Sequence, residues 1–315
     1  MSVKAYVTRL IPEQGMSILN KKMNVSSWCS ENVMPREELL KHVKGMNGIL
    51  CTITDQMDKE VLDAAGPQLK VISTLSVGTE HIDVSECKKR GIEVLNTPDV
   101  ASDSAAEFTV TLILLVARRL LEGMDAVKNG EWGLWKPMWI CGFEMGGRTL
   151  GIHGFGRVGF GIARRLKPFN IERIIYYDLY QKEYASSVGA TLVDLPTLLA
   201  ESDMLCICCA PTPQTIKSFN KEAFAKMKEG SILINTSRGI IVDHDDLDAA
   251  LKAGRPMAAG LDVTDPEPLP NGHPLMKNPK CIITPHQGTS TWATRINMAK
   301  AAASNLYVSL LGRDD

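Results

Sequence analysis

The stretch Thr149-Leu-Gly-Ile-His-Gly-Phe-Gly-Arg-Val-Gly-Phe-Gly-Ile-Ala-Arg-Arg-Leu166 decides the fold of this chain. An apolar run leads into Gly154, Gly156 and Gly159, and an amphipathic run follows. GxGxxG alone is a weak signal, but between a strand and a helix it has the context a dinucleotide site requires. Gly154 permits the tight turn, Gly156 lets the backbone approach a pyrophosphate, and Gly159 lets the helix lie close to the strand. The free N–H groups and partial positive charge of the helix N-terminus favour the phosphates. The next apolar run, Arg173-Ile-Ile-Tyr-Tyr-Asp178, ends in a carboxylate about 20 residues on, where a ribose-binding acid belongs. A 2′-phosphate about 4 Å from that charge meets a repulsion of about 4 kcal/mol at an effective dielectric near 20. Asp178 therefore favours NAD(H), and nearby Lys182 softens the choice.

The same alternation extends in both directions. Strands are expected at 3–8, 48–54, 70–75 and 92–96, with helical windows at 36–43, 59–65 and 84–90 between them. The stretch opening Met1-Ser-Val-Lys reads as the first strand. A helical window runs from about 101 to 129, followed by a loop rich in Trp and Gly at 130–142. Further strands are expected at 149–153, 173–178, 204–209, 231–235, 258–262 and 281–284, and a last helix at 291–311. Short β-branched runs alternating with helices mean parallel sheets covered on both faces. The fold expected is α/β, with two doubly wound parallel-sheet domains of flavodoxin or Rossmann type.

Composition fits that reading. A chain of 315 residues exceeds one ordinary domain, and its 44% hydrophobic and 23% charged residues are ordinary for a globular protein. A net charge of -1 without a basic stripe argues against nucleic acid. The longest apolar stretch, 108–117, is too short to span a bilayer. The N-terminus lacks the features of a signal peptide. The eight cysteines show no paired CxxC, and several lie in strand-like runs, so they read as reduced thiols in a cytoplasmic compartment rather than as a metal site.

Three polar residues follow successive strands of the second series: Arg238 in Asn235-Thr-Ser-Arg-Gly, Glu267 in Asp262-Val-Thr-Asp-Pro-Glu-Pro, and His286 in Pro285-His-Gln-Gly. Open α/β sheets bind ligands beyond the carboxyl ends of their strands. Hydride transfer to a keto acid builds negative charge on the carbonyl oxygen, which a His can protonate. A carboxylate orients that His and favours its charged form, and an Arg fork suits the substrate carboxylate. Singly, each residue has a bland reading as a solvated strand-end group; their joint placement carries the catalytic one.

Here the residues match a family. The chain resembles the D-isomer-specific 2-hydroxyacid dehydrogenases over essentially its whole length. The segment Ser73-Thr-Leu-Ser-Val-Gly-Thr-Glu-His-Ile-Asp83 resembles their substrate loop, and 154–159, 235–239, 261–268 and 285–288 resemble their remaining signatures, in the family's order. Within the family it is similar to the glyoxylate/hydroxypyruvate reductases, through 71–78, 164–169, 260–270 and Trp135-Lys-Pro-Met-Trp139. The resemblance implies a substrate-binding domain at 1–100 plus 287–315, a dinucleotide-binding domain at 101–286, and an active site in the cleft between them. It implies reduction of glyoxylate or hydroxypyruvate to the D-2-hydroxy acid, with His286 as acid/base, Glu267 tuning it and Arg238 polarising the substrate. Ser76, Val77 and Gly78 would hold the substrate carboxylate. The implied cofactor-binding set is Gly154, Phe155, Gly156, Arg157, Val158, Gly159, Asp178, Cys209, Ala210, Pro211, Thr215, Thr236, Ser237, Asp262 and Gly288, with Asp262 on the nicotinamide carboxamide. The similar reductases prefer NADP(H), which stands against the lean from Asp178. A homodimer through the cofactor domain is implied; in the similar reductases the tryptophan loop reaches the partner's active site, which makes Trp135 a candidate substrate-selectivity residue, with a buried dimer anchor as its plainer reading.

Departures from the family pattern are His153 and Phe155 around the first glycine, Ala105 where a Thr is frequent, and Gln287 after the catalytic His. The rival readings are a dehydrogenase for another D-2-hydroxy acid and a non-catalytic, NAD-sensing, corepressor-like protein.

Overall fold

A computed structural model describes residues 3–312; Met1 and Ser2 of the expected first strand, and the final 313–315, lie outside the described residues. The chain divides into two compact units, one comprising the chain up to residue 101 with the part from residue 290 onward, the other comprising 102–289.

In the first unit, strands β1 (Lys4–Val7), β2 (Asn24–Ser27), β3 (Gly48–Cys51), β4 (Val71–Thr74) and β5 (Glu93–Leu95) form one parallel sheet in the order β2-β1-β3-β4-β5. That is the flavodoxin-like order. Helices α1 (Glu13–Leu19), α2 (Arg36–His42), α3 (Lys59–Ala65) and α4 (Val84–Lys89) connect the strands. The central β3 and β4 are buried at every position, which is why they read as unbroken runs rather than as alternating ones. Caps fix the helix starts: Asp58 accepts from the Val61 N–H and Asp83 from the Glu86 N–H.

The second unit begins with α5 (Ser102–Ala117) and α6 (Leu120–Lys128). The single helix expected over 101–129 is two helices, broken at Arg119, which takes φ 51° in the left-handed region. The loop behind the break compensates it: the Phe143 N–H donates to the Ala117 carbonyl at 3.0 Å. A Cβ on Gly142 would lie 2.0 Å from that carbonyl oxygen, so only glycine allows the crossing.

The unit continues with β6 (Thr149–His153), α7 (Arg157–Leu166), β7 (Arg173–Tyr177), β8 (Ala190–Leu192), α8 (Leu195–Glu201), β9 (Met204–Ile207), α9 (Lys221–Lys226), β10 (Ile232–Asn235), α10 (His244–Ala253), β11 (Ala258–Leu261) and β12 (Cys281–Ile283). Its sheet is parallel throughout, in the order β12-β11-β10-β9-β6-β7-β8. Counted from β6, this is the 3-2-1-4-5-6 order of dinucleotide folds extended by one strand, and its switch point lies between β6 and β9. The last helix, α11 (Trp292–Leu311), belongs to the first unit, where the Ser73 hydroxyl donates to the Ala302 carbonyl at 2.8 Å. Among the described residues, no helix is long and apolar enough to cross a membrane.

Candidate active site

The site is built from strand ends of the second unit. At the end of β6 the chain turns through Gly154 at φ 94°, where a Cβ would lie 2.5 Å from the Cys209 backbone nitrogen. A Cβ on Gly159 would meet the Gly154 carbonyl oxygen at 2.5 Å, so α7 leaves directly over the strand. At Gly156 a Cβ would meet nothing within 4 Å. These are the three properties a pyrophosphate cradle needs: a tight turn, an open approach and a close helix N-terminus. Arg157 and Val158 form the first turn of α7. The residues present fit a dinucleotide.

Phe155 and His153, both larger than the family pattern, have built packing. The Phe155 ring is fully buried and stacks on Tyr176 at 4.3 Å. His153 packs against Tyr177 and Phe219, at 5.2 and 5.6 Å between ring centroids. Burial pushes the His153 imidazole down to about 4, against the pull of Asp178, so the ring is neutral at physiological pH. The Phe155 N–H donates to Asp178 Oδ2 at 2.9 Å, which turns that donor away from a phosphate. Asp178, just beyond β7, also accepts from the Leu179 N–H and pairs with Lys182.

Beyond β9 lies the loop of Cys209, Ala210, Pro211 and Thr215. The Thr215 hydroxyl donates to the Ala210 carbonyl at 2.8 Å, and the Ser237 hydroxyl from beyond β10 donates to the Cys209 carbonyl at 2.5 Å. Thr236 hydrogen-bonds Thr109 of α5 at 2.7 Å. Asn235, unremarked in the sequence beyond its motif, closes the β10 turn. Its side chain accepts from the Ser237 N–H and donates to the Arg238 carbonyl, at 3.0 and 2.9 Å. An Asn side chain that accepts from the backbone N–H two residues on makes an Asx turn, which Asn at a strand end favours.

His286 and Glu267 meet. His286 Nδ1 lies 2.6 Å from Glu267 Oε1, and both side chains are half-buried. Glu267 Oε2 accepts from the Thr264 N–H at 3.3 Å. Burial pushes the Glu267 carboxyl up, but the His286 hydrogen bond and charge, the Thr264 amide and the Arg238 charge outweigh it and hold it below its ordinary value. Arg238 thus acts on the same carboxylate, and its own Nη1 donates to the Ser237 carbonyl at 2.8 Å. An ionised carboxylate only accepts, so Nδ1 carries a proton and Nε2 is the ring atom open to chemistry.

His286 sits at φ 54°, a left-handed conformation that costs a non-glycine residue of order 1–3 kcal/mol. Asp262 holds it there. This buried carboxylate accepts from the Thr284 hydroxyl at 2.6 Å, the Gln287 N–H at 2.7 Å and the Gly288 N–H at 2.8 Å, while its own carbonyl accepts from the His286 N–H at 3.0 Å. The Gly288 carbonyl in turn accepts from Ser104 of α5 at 3.0 Å. Asp262 therefore organises the turn that carries His286, a part the sequence did not disclose.

The expected substrate-loop residues belong to the first unit, just beyond β4. The Ser76 hydroxyl donates to the Gly78 carbonyl at 2.7 Å and hydrogen-bonds Thr74 at 2.8 Å, which in turn contacts the buried His81 at 3.0 Å. Val77 is half-exposed and its carbonyl accepts from the Asn96 side chain at 2.7 Å. Trp135 lies in the 130–142 loop and is 84% exposed. Among the described residues, no group of three or more His, Cys, Asp or Glu is placed to hold a metal ion.

Comparisons with known proteins agree with this construction. The model of the D-isomer specific 2-hydroxyacid dehydrogenase NAD-binding domain matches residues 110–288. The human glyoxylate reductase/hydroxypyruvate reductase is 47% identical over 98% of this chain and 95% of its own length. A protein of known structure from Thermus thermophilus is similar with a TM-score of 0.93 and 39% identity, over 99% of this chain and 98% of that one. The D-lactate dehydrogenase of Aquifex aeolicus, solved with NAD and lactic acid, has a TM-score of 0.85 at 28% identity over 98% and 96%. With this sheet order, this glycine turn and this His–Glu pair, the chain belongs to the D-isomer specific 2-hydroxyacid dehydrogenase family.

Proposed function

We propose that the protein reduces glyoxylate or hydroxypyruvate to the D-2-hydroxy acid, with His286, Glu267 and Arg238 as its working residues. The observation that carries this reading is the 2.6 Å contact between His286 Nδ1 and Glu267 Oε1 beside the carboxyl ends of β11 and β12. A bound nicotinamide cofactor supplies a hydride to the keto carbon. His286 holds the proton at Nε2 that the carbonyl oxygen takes up as its charge develops. Glu267 keeps the ring in the tautomer that leaves Nε2 outward and stabilises the imidazolium. Arg238 offers paired donors to the substrate's carboxylate and carbonyl. Asp262, with both oxygens engaged, acts by holding the turn that carries His286. The carboxylate-binding part remains with the Ser76–Gly78 backbone, as the family resemblance suggests.

Asp178 supports NAD(H) as the preferred cofactor. The same reading includes a homodimer through the second unit and residence in a reducing, cytoplasmic compartment; eight unpaired thiols support the latter.

The test is steady-state oxidation of NADH and of NADPH with glyoxylate, hydroxypyruvate and pyruvate. Turnover of the first two acids with NADH favoured is expected. Turnover confined to pyruvate moves the substrate, NADPH preference removes the argument from Asp178, and no turnover on any acid sinks the catalytic reading.

A further inference from the structure

The charge on Asp178 is not bare. Its Oδ2 accepts from the Phe155 N–H at 2.9 Å, and its Oδ1 accepts from the Leu179 N–H at 2.8 Å and from Lys182 Nζ at 3.2 Å. A carboxylate has about four acceptor positions, so Oδ1 is full and one position remains on Oδ2. A ribose with two free hydroxyls cannot place both on Asp178 while Lys182 stays. The Lys182 side chain is 26% exposed on a flexible stem, while its backbone N–H is fixed on the Tyr176 hydroxyl at 3.0 Å. The ammonium can therefore swing without disturbing the loop. Arg157, at the start of α7, shares this neighbourhood. Burial raises the Tyr184 hydroxyl's pKa, while Lys182 and Arg157 lower it and Asp178 raises it further. That hydroxyl donates to the Phe155 carbonyl at 2.6 Å, beside the glycine turn. Two cations and one anion thus surround the position a ribose-binding acid serves.

We infer that Lys182 is a specificity-determining residue: it sets how far the site discriminates between a free ribose 2′-hydroxyl and a 2′-phosphate, by exchanging the Asp178 carboxylate for the phosphate. With a free 2′-hydroxyl, Lys182 stays on Oδ1 and the hydroxyl donates to Oδ2. With a 2′-phosphate, which carries between one and two negative charges at neutral pH, the ammonium moves across and neutralises it. The ion pair makes the site tolerant of both nucleotides, although the acid alone would reject one. This rests on the reading that residues 154–178 bind a nicotinamide dinucleotide.

The experiment is calorimetric binding of NAD+ and NADP+ to the full-length chain without substrate, at low and at high salt, for the wild type, Lys182→Met and Lys182→Arg. Methionine keeps the length and removes the charge, which opens Oδ1 and leaves Asp178 unmatched. The ratio Kd(NADP+)/Kd(NAD+) is expected to rise about tenfold or more in Lys182→Met and to stay within about twofold of wild type in Lys182→Arg. Rising salt is expected to weaken NADP+ more than NAD+ in the wild type, with that difference reduced in Lys182→Met. A ratio that moves less than twofold in Lys182→Met, or that falls, overturns the inference, as does a parallel loss of both nucleotides, which would make Lys182 a structural residue. Failure of the wild type to bind either nucleotide overturns the dinucleotide reading beneath it, and that outcome is distinct from the others.

Discussion

At the scale of single residues, the proposed chemistry rests on two side chains 2.6 Å apart. Replacing His286 with Ala removes the proton donor and leaves the glycine turn at β6 untouched. A loss of about 10²–10⁴-fold in turnover is expected, with nucleotide affinity within about twofold of wild type by calorimetry. Near-normal turnover would end the mechanism. Glu267 makes a different prediction. Its folded pKa lies below the ordinary 4.5, so the stability it contributes is complete above about pH 4.5 and is lost as pH falls through the folded value. Glu267→Gln lacks that dependence. The melting temperature of the wild type should therefore fall more steeply than that of Glu267→Gln as pH drops below 4.5, in scans at half-unit steps. Parallel curves would mean the carboxylate carries no favourable interaction in the fold. The placement of Arg238, Glu267 and His286 beyond β10, β11 and β12 was legible in the sequence because each closely follows an apolar run, and strand ends are where such a sheet binds its ligands. The part played by Asp262 was not. Its three donors come from 284–288, beyond the neighbouring strand, and nothing in linear spacing announces that β11 and β12 pair.

At the scale of elements, the loops after β10 and β11 are held against each other by one glycine. A Cβ on Gly239 would lie 2.0 Å from the Thr264 carbonyl carbon and 2.1 Å from its oxygen. Backbone on both sides cannot yield as a flexible side chain would. Gly239→Ala should thus cost about 1–3 kcal/mol and move Arg238 away from Glu267. A lower melting temperature together with a lower kcat/KM is expected, and a variant with both at wild-type values would show that the loops are not locked. The sequence exposed most strands because buried parallel strands are nearly continuous apolar runs, as in Ile232-Leu-Ile-Asn235. It hid the edge strands β2 and β8, whose apolar signal is weak, whereas the other edge strands, β5 and β12, carry Val-Leu and Cys-Ile-Ile. Asn24-Val-Ser-Ser27 and Ala190-Thr-Leu192 contain no fully buried position and carry little apolar signal. The break between α5 and α6 was also hidden, because Arg119 enters the left-handed region without a Gly or Asn to mark it. The glycine that permits the crossing, Gly142, stands well down the chain.

At the scale of the whole molecule, the apolar surface of the second unit bears on the proposed dimer. Leu120, Met124 and Val127 of α6 recur at helical spacing on one face and are 49%, 46% and 54% exposed. The loop that follows carries Trp132, Leu134, Trp135 and Met138, all exposed. The ends of that loop are tied to α6 by the Glu131 N–H on the Ala126 carbonyl at 2.8 Å and to the residue before α6 by Arg119 Nη1 on the Cys141 carbonyl at 3.2 Å. Helix and loop thus lie side by side and together expose these seven large apolar side chains. Monomeric proteins rarely expose large apolar patches, and tryptophans are favoured where subunits meet. Each such side chain contributes about 1.5–3 kcal/mol when fully buried, against an association cost of about 4–15 kcal/mol. A few of them offset that cost only at its lower end, so the dimer needs α6 and the loop together. In a twofold interface the same patch meets itself, which means that acids placed on it face acids. Met124→Glu with Val127→Glu should therefore convert a species of twice the chain mass into one of single mass by light scattering at micromolar concentration. A wild type that already runs at single mass removes the dimer from the reading. A double variant that stays at twice the mass moves the interface off α6.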